Sequence, residues 1–211
     1  MRRRRFFHTH SRVHCLAGSD SIIEVVVGTE ATSWHLHKAL LINRSPFFKL
    51  ALDGHFKGSS ENKVILAEDE STIFALFVQW LYTSTFNALS SYDLIHAYIL
   101  GDRLGTTDFK NKAIDQLHAA NLWKCTFTPS EANTIFAFTT AGCGLRRLAV
   151  DSIALAFLTQ VLDVQAEDWK SSFTFVEEMT EVMAAMARQV RGIWKDKPQT
   201  EYHDVEQRQA H

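Results

Sequence analysis

The residues with chemical potential come in small, isolated groups. His8 and His10, and again His35 and His37, are pairs two positions apart, a spacing that puts both rings on one face of a strand. Two imidazoles on one face can start a metal site, but neither pair has a third ligand at a fitting spacing, so no metal is expected. Cys143 sits between Gly142 and Gly144, where a thiol could be exposed. No His or Asp accompanies it in a nucleophile pattern, so a structural turn is the simpler reading. Gly54 to Ser59 is glycine-containing but lacks the lysine that a phosphate loop requires directly after its second glycine, and no serine-elbow motif occurs. Cys15, Cys125 and Cys143 are odd in number and far apart, which gives neither a zinc spacing nor a disulfide framework. No catalytic residue, cofactor or small-molecule substrate is expected, and the chain reads as a non-enzyme.

Charge narrows the partners. Arg2, Arg3, Arg4, Arg5 and Arg12 lie in a first dozen residues that contain no acid. Without those five, 17 basic groups face 24 acidic ones, a balance of −7 that is a poor match for nucleic-acid phosphates. The arginine run itself fits a nuclear-import or anionic-surface tail, the start of a transit peptide, or a solvated unstructured end. No apolar run reaches the length of a membrane span and no secretory pattern appears, so an intracellular protein of cytoplasm or nucleus is expected. Fifteen Phe and five Trp suit a well-filled core or an interface.

The elements that must position any site follow from periodicity. Ile22 to Val27 is β-branched and apolar, a strand. Gly28 to Ala31 supplies a hairpin turn and Thr32 to Leu36 the returning strand. From His37 the pattern turns helical, breaks at Ser45-Pro46, and restarts with Ser45 as cap and Pro46 in the first turn. Gly54 fits a left-handed stop. Val64 to Leu66 is a third strand, and Asp69 or Ser71 is expected to cap a helix apolar on nearly every face. Two helices follow, about Asp93 to Leu104 with Ser90 as cap and Gly105 as terminator, and about Asp108 to Ala120. Early strands followed by runs of helices argue for an α+β fold.

The segments VVVG, WHLHKALLINRSPFFKLALDGHFKGS and VILAEDESTIFALFVQWLYT, in that order, resemble a BTB/POZ domain. LGDRLGTTDFKNKAIDQL is similar to the helical close of that domain in stand-alone BTB proteins of filamentous fungi. The resemblance covers about Ser19 to His118. It implies a small mixed sheet flanked by helices and a protein-interaction module. Such modules form homodimers or larger assemblies; many are adaptors of cullin-based ubiquitin ligases, and others recruit transcriptional or chromatin co-regulators.

By the same resemblance, Asp20 and Lys38 fall where the family places an acid and a base lining a dimer pocket, with His37 the recurrent histidine before the base. The alternative is that Asp20 caps a turn and Lys38 is solvated. The cullin-facing surface would include Phe47, Phe48, Leu52, His55, Phe56, Lys57 and Gly58. Adaptors commonly place a glutamate two positions after a hydrophobic residue in that turn. Phe56-Lys57-Gly58 puts glycine there. One missing charge-assisted hydrogen bond is worth roughly 1.5–3 kcal/mol, or about ten- to hundredfold in affinity.

The domain plan expected is a basic tail over 1–18, the BTB/POZ domain over 19–120, a helical extension over 121–195 and an unstructured tail over 196–211. Within the extension, Pro129 starts a short helix, Leu145 begins another with Arg146-Arg147 on its solvated face, and a Met-bearing helix runs from about Ser172 to Trp194.

Overall fold

The computed structural model describes residues 21–52, 63–121, 127–158, 180 and 198–204. Its sheet has three strands in the order β2-β1-β3. The first strand, β1 (Ile22–Val27), pairs antiparallel with β2 (Thr32–His37) and parallel with β3 (Lys63–Leu66). Ile23, Val25, Val26 and Val27 are all buried, because β1 is central and covered, whereas β2 and β3 alternate inward and outward. The parallel pairing requires a crossover, and α1 (Lys38–Arg44) and α2 (Pro46–Leu52) lie within it. The mixed sheet and helical majority make this an α+β fold, with the three strands and the described helices up to Asn121 where periodicity expects them.

Ser45 joins the two short helices. Its hydroxyl donates to the Leu104 carbonyl at 2.7 Å and accepts from the Phe48 N–H at 3.3 Å. The chain that supplies that carbonyl ends α4 (Ser91–Arg103), and Gly105 follows at φ +68, packed against the Pro46 ring. A side chain there would meet both strain and Pro46.

The third helix, α3 (Ser71–Thr83), carries Ile73, Phe74, Phe77, Trp80 and Leu81 into the core. Its expected caps are corrected: the N-cap residue is Glu70, with no side-chain cap bond. Asp69 instead pairs with Arg103 at the end of α4. Ser90 does cap α4, in a reciprocal box with Asp93.

The remaining helices, α5 (Thr107–Asn121), α6 (Pro129–Phe138) and α7 (Gly144–Leu158), share one continuous apolar cluster with the sheet and α3. Thus Leu145, Leu148 and Ile153 belong to the same core as Ile23 and Phe77. Arg146, expected on a solvated face, is buried. Its guanidinium donates to the Phe136 carbonyl at 2.9 Å, to the Thr139 hydroxyl at 3.0 Å and to the Thr139 carbonyl, and lies over the Phe136 ring. It thereby satisfies carbonyls at the end of α6 that have no helical partner.

Beyond Lys195 the expected unstructured tail is corrected over 198–204. Gln199–Tyr202 forms a 3-10 turn that packs on α5 and α7, and Tyr202 is among the largest fully buried side chains. The arginine run and the helix expected over 172–194 lie outside the described residues, save Thr180.

Candidate protein-interaction surface

Within α2, neighbouring apolar residues have opposite fates. Phe48 is fully buried, its ring stacked on Phe77 at 6.2 Å. It belongs to the core and cannot line a partner groove, which corrects its expected place there. Phe47, its ring edge-on to Phe48, remains 36% exposed, and Leu50 is 69% exposed. Residues three apart share a helix face, so Phe47 and Leu50 stand together on the outer side of α2. Leu52 is half-buried against the core. Leu50 was not singled out by sequence, because α2 is apolar at every position but Lys49 and so short a run does not tell the inner face from the outer.

His55, Phe56, Lys57 and Gly58 lie outside the described residues, as does Asp20. Of the expected dimer pocket, His37 and Lys38 are placed at the junction of β2 and α1. The His37 ring nitrogen Nδ1 is 2.8 Å from the Tyr82 hydroxyl of α3, and the two rings meet edge to face. This is a structural hydrogen bond between exposed side chains. The Lys38 backbone N–H donates to the Ser21 carbonyl at 2.9 Å, and its side chain is half-buried. Ile22, opposite His37 in the strand register, exposes half its surface beside this pair.

Among the described residues no group of three or more His, Cys, Asp or Glu could hold a metal ion. A surface cavity beside α6 is lined by Thr128, Pro129, Ser130, Asn133, Thr134 and Phe138 among others, none of them titratable. Cys143 is half-buried and free of any disulfide. No described helix is long and apolar enough to cross a membrane.

The family model of the BTB/POZ domain matches residues 16–121, half of the chain. The chain belongs to the BTB/POZ family. A comparison with curated proteins found no match. The BTB/POZ domain is a protein–protein interaction module, and the matched span holds the whole sheet and α1 to α5. The α2 face and the β2–α1 junction therefore sit in the BTB domain itself. Helices α6 and α7 follow it and complete the same core.

Perturbed titratable groups gather elsewhere, on α4, α5 and the 198–204 segment. Burial pushes the Tyr98 hydroxyl up, aided by Cys143 and Asp204. Burial likewise raises Tyr202, beside the Asp151 carboxyl. Burial alone would raise Asp204, yet hydrogen bonds from Tyr98, the Gly144 N–H and Lys110 hold it below the usual carboxylate range. Lys110 is raised by Asp102 and Asp204 in spite of its burial. Sequence gave no signal for this group, since its members come from positions about a hundred residues apart.

Proposed function

We propose that this BTB/POZ protein self-associates and recruits protein partners, docking them through the outer face of α2. The observation that carries this reading is the split within α2: Phe48 anchors the helix in the core while Phe47 and Leu50 face outward. A short helix fixed by a buried aromatic presents its outer apolar pair with little entropy left to lose on binding. An i, i+3 apolar pair is the pattern by which a helix face meets a complementary partner surface.

The partner class we favour is a cullin scaffold, with the chain as substrate adaptor of a ubiquitin ligase. Gly58, standing where adaptors commonly carry glutamate, makes that affinity modest. Capture of a purified cullin scaffold by the full chain, compared with its Gly58→Glu variant, tests the reading. Weak capture by the wild type and capture about tenfold or more stronger by Gly58→Glu is expected. Capture by neither protein contradicts the cullin assignment.

A further inference from the structure

Pro198 to Asp204 is held as a peptide ligand is held. The segment is one 3-10 turn, its bonding including Glu201 N–H to Pro198 and His203 N–H to Thr200. Side chains of two helices serve four further backbone groups at its C-terminal end. The Asn111 amide on α5 accepts from the Asp204 N–H at 3.0 Å and donates to the Asp204 carbonyl at 3.3 Å. Arg147 on α7 donates to the carbonyls of Glu201 at 3.3 Å and His203 at 3.5 Å. A bidentate amide on one residue's backbone is indifferent to sequence and fixes register, which a folded element would otherwise obtain from a sheet or helix.

Three side chains of the segment are held: His203, whose Nε2 lies 2.7 Å from the Asp115 carboxylate on α5, and two that are held more deeply. Tyr202 is buried, its hydroxyl donating to Asp151 at 3.0 Å. The Asp204 carboxylate accepts from the Gly144 N–H at 2.9 Å and from Tyr98, and pairs with Lys110 at 3.0 Å. Asn111 and Asp115 on α5, and Gly144, Arg147 and Asp151 on α7, recur every three or four residues, so each set forms one stripe of its helix. Gly144 is required by the fit, since a Cβ there would collide with the Tyr202 carbonyl.

We infer that the groove between α5 and α7 is a peptide-recognition site for a phenol-bearing residue followed two positions later by a carboxylate, and that Tyr202 and Asp204 are its resident occupants. A partner carrying an acidic segment of that form competes with the chain's own, so docking there is gated by displacement. None of the groove residues lies on α2, and the inference does not depend on the reading given above for that face.

Fluorescence anisotropy with a labelled peptide of residues 198–204 and full-length chains tests it. The Tyr202→Ala chain is expected to bind the peptide at least about tenfold tighter than the wild type, whose tethered segment competes at high effective concentration. A peptide carrying Asp204→Asn binds the same chain at least about tenfold more weakly, for want of the charge-assisted bonds. The Asp204→Asn chain, which keeps the Tyr202 anchor, serves as a second acceptor with the same expected order. Failure of both variant chains to bind while their circular dichroism stays native overturns the inference. So does unfolding of both, because a site must persist without its occupant. A wild-type dimer that becomes a monomer in Tyr202→Ala would assign the groove to a second copy of the chain and overturn the partner reading.

Discussion

Lys110 and Asp204 form an ion pair at 3.0 Å that ties the end of the described chain back to α5, inside the BTB domain. Lys110 also bonds Asp102 at 2.7 Å, and Asp204 bonds Tyr98, so the pair closes a network between α4, α5 and the segment after Pro198. Both side chains are largely withdrawn from water, at 11% and 17% exposure. Removing one partner of such a pair leaves the other charge stranded.

Asp204→Ala is accordingly expected to cost about 3 kcal/mol of stability, read from denaturant unfolding. Asp204→Asn supplies the pH test. A carboxyl held low in the folded state stabilises fully above its unfolded value and loses that contribution as pH falls through the folded one. Lys110, held high, stabilises fully below its unfolded value and loses the contribution as pH rises through the folded one. The melting-temperature gap between wild type and Asp204→Asn should stay level near neutrality and narrow below about pH 4 and above about pH 10. A gap that persists unchanged at pH 3 contradicts the network.

Gly144→Ala places a methyl group where the Tyr202 carbonyl lies. Displacement of the segment is expected, with a loss of about 1–3 kcal/mol. Limited proteolysis checks it: cleavage near Tyr202 should become rapid while the BTB domain resists. Equal resistance of both proteins at Tyr202 counts against the packing described.

Ser45→Ala removes the hydroxyl that serves both the Leu104 carbonyl and the Phe48 N–H. The buried Phe48 N–H loses its partner and the Leu104 carbonyl keeps only the Phe47 N–H at 3.5 Å, so a cost of about 1–2 kcal/mol is expected. Chemical denaturation measures it, and a change below about 0.5 kcal/mol would place little weight on this junction.

Much of this was legible in the sequence, and the misses share a cause. Ser90, Pro46 and the β-branched run from Ile22 act within a few residues of themselves, and periodicity with capping chemistry finds them. Asp69 looked like a helix cap because its nearest helix begins at Ser71, but Arg103 competes for it from α4. Arg146 looked solvated because a charged pair normally is; the free carbonyls at the end of α6 are what draw it inward. Tyr202 lies in a polar stretch whose composition resembles a tail, and its partners Asp151 and His118 are visible only once α5 and α7 are side by side. On α2 the opposite problem arises: Phe47, Phe48 and Leu50 are all apolar, so only packing on Phe77 separates the anchor from the display face.

Self-association should appear in light scattering of the full chain at micromolar concentration as a mass of two copies or more. Ile22→Glu and Lys38→Glu alter the exposed strand start and the base beside it, and a shift of both variants toward monomer is expected. A wild type that stays strictly monomeric contradicts a dimer pocket at the β2–α1 junction.

The α2 face is tested most directly by replacing its most exposed apolar side chain. Calorimetric titration of a purified cullin scaffold into the wild type and into Leu50→Asp compares a displayed leucine with a charge at the same place. Since Leu50 is largely outside the core, the variant should keep native circular dichroism. The expected result is binding by the wild type and a loss of about tenfold or more in Leu50→Asp. Equal affinity of two folded proteins would contradict the assignment of α2 as the docking face.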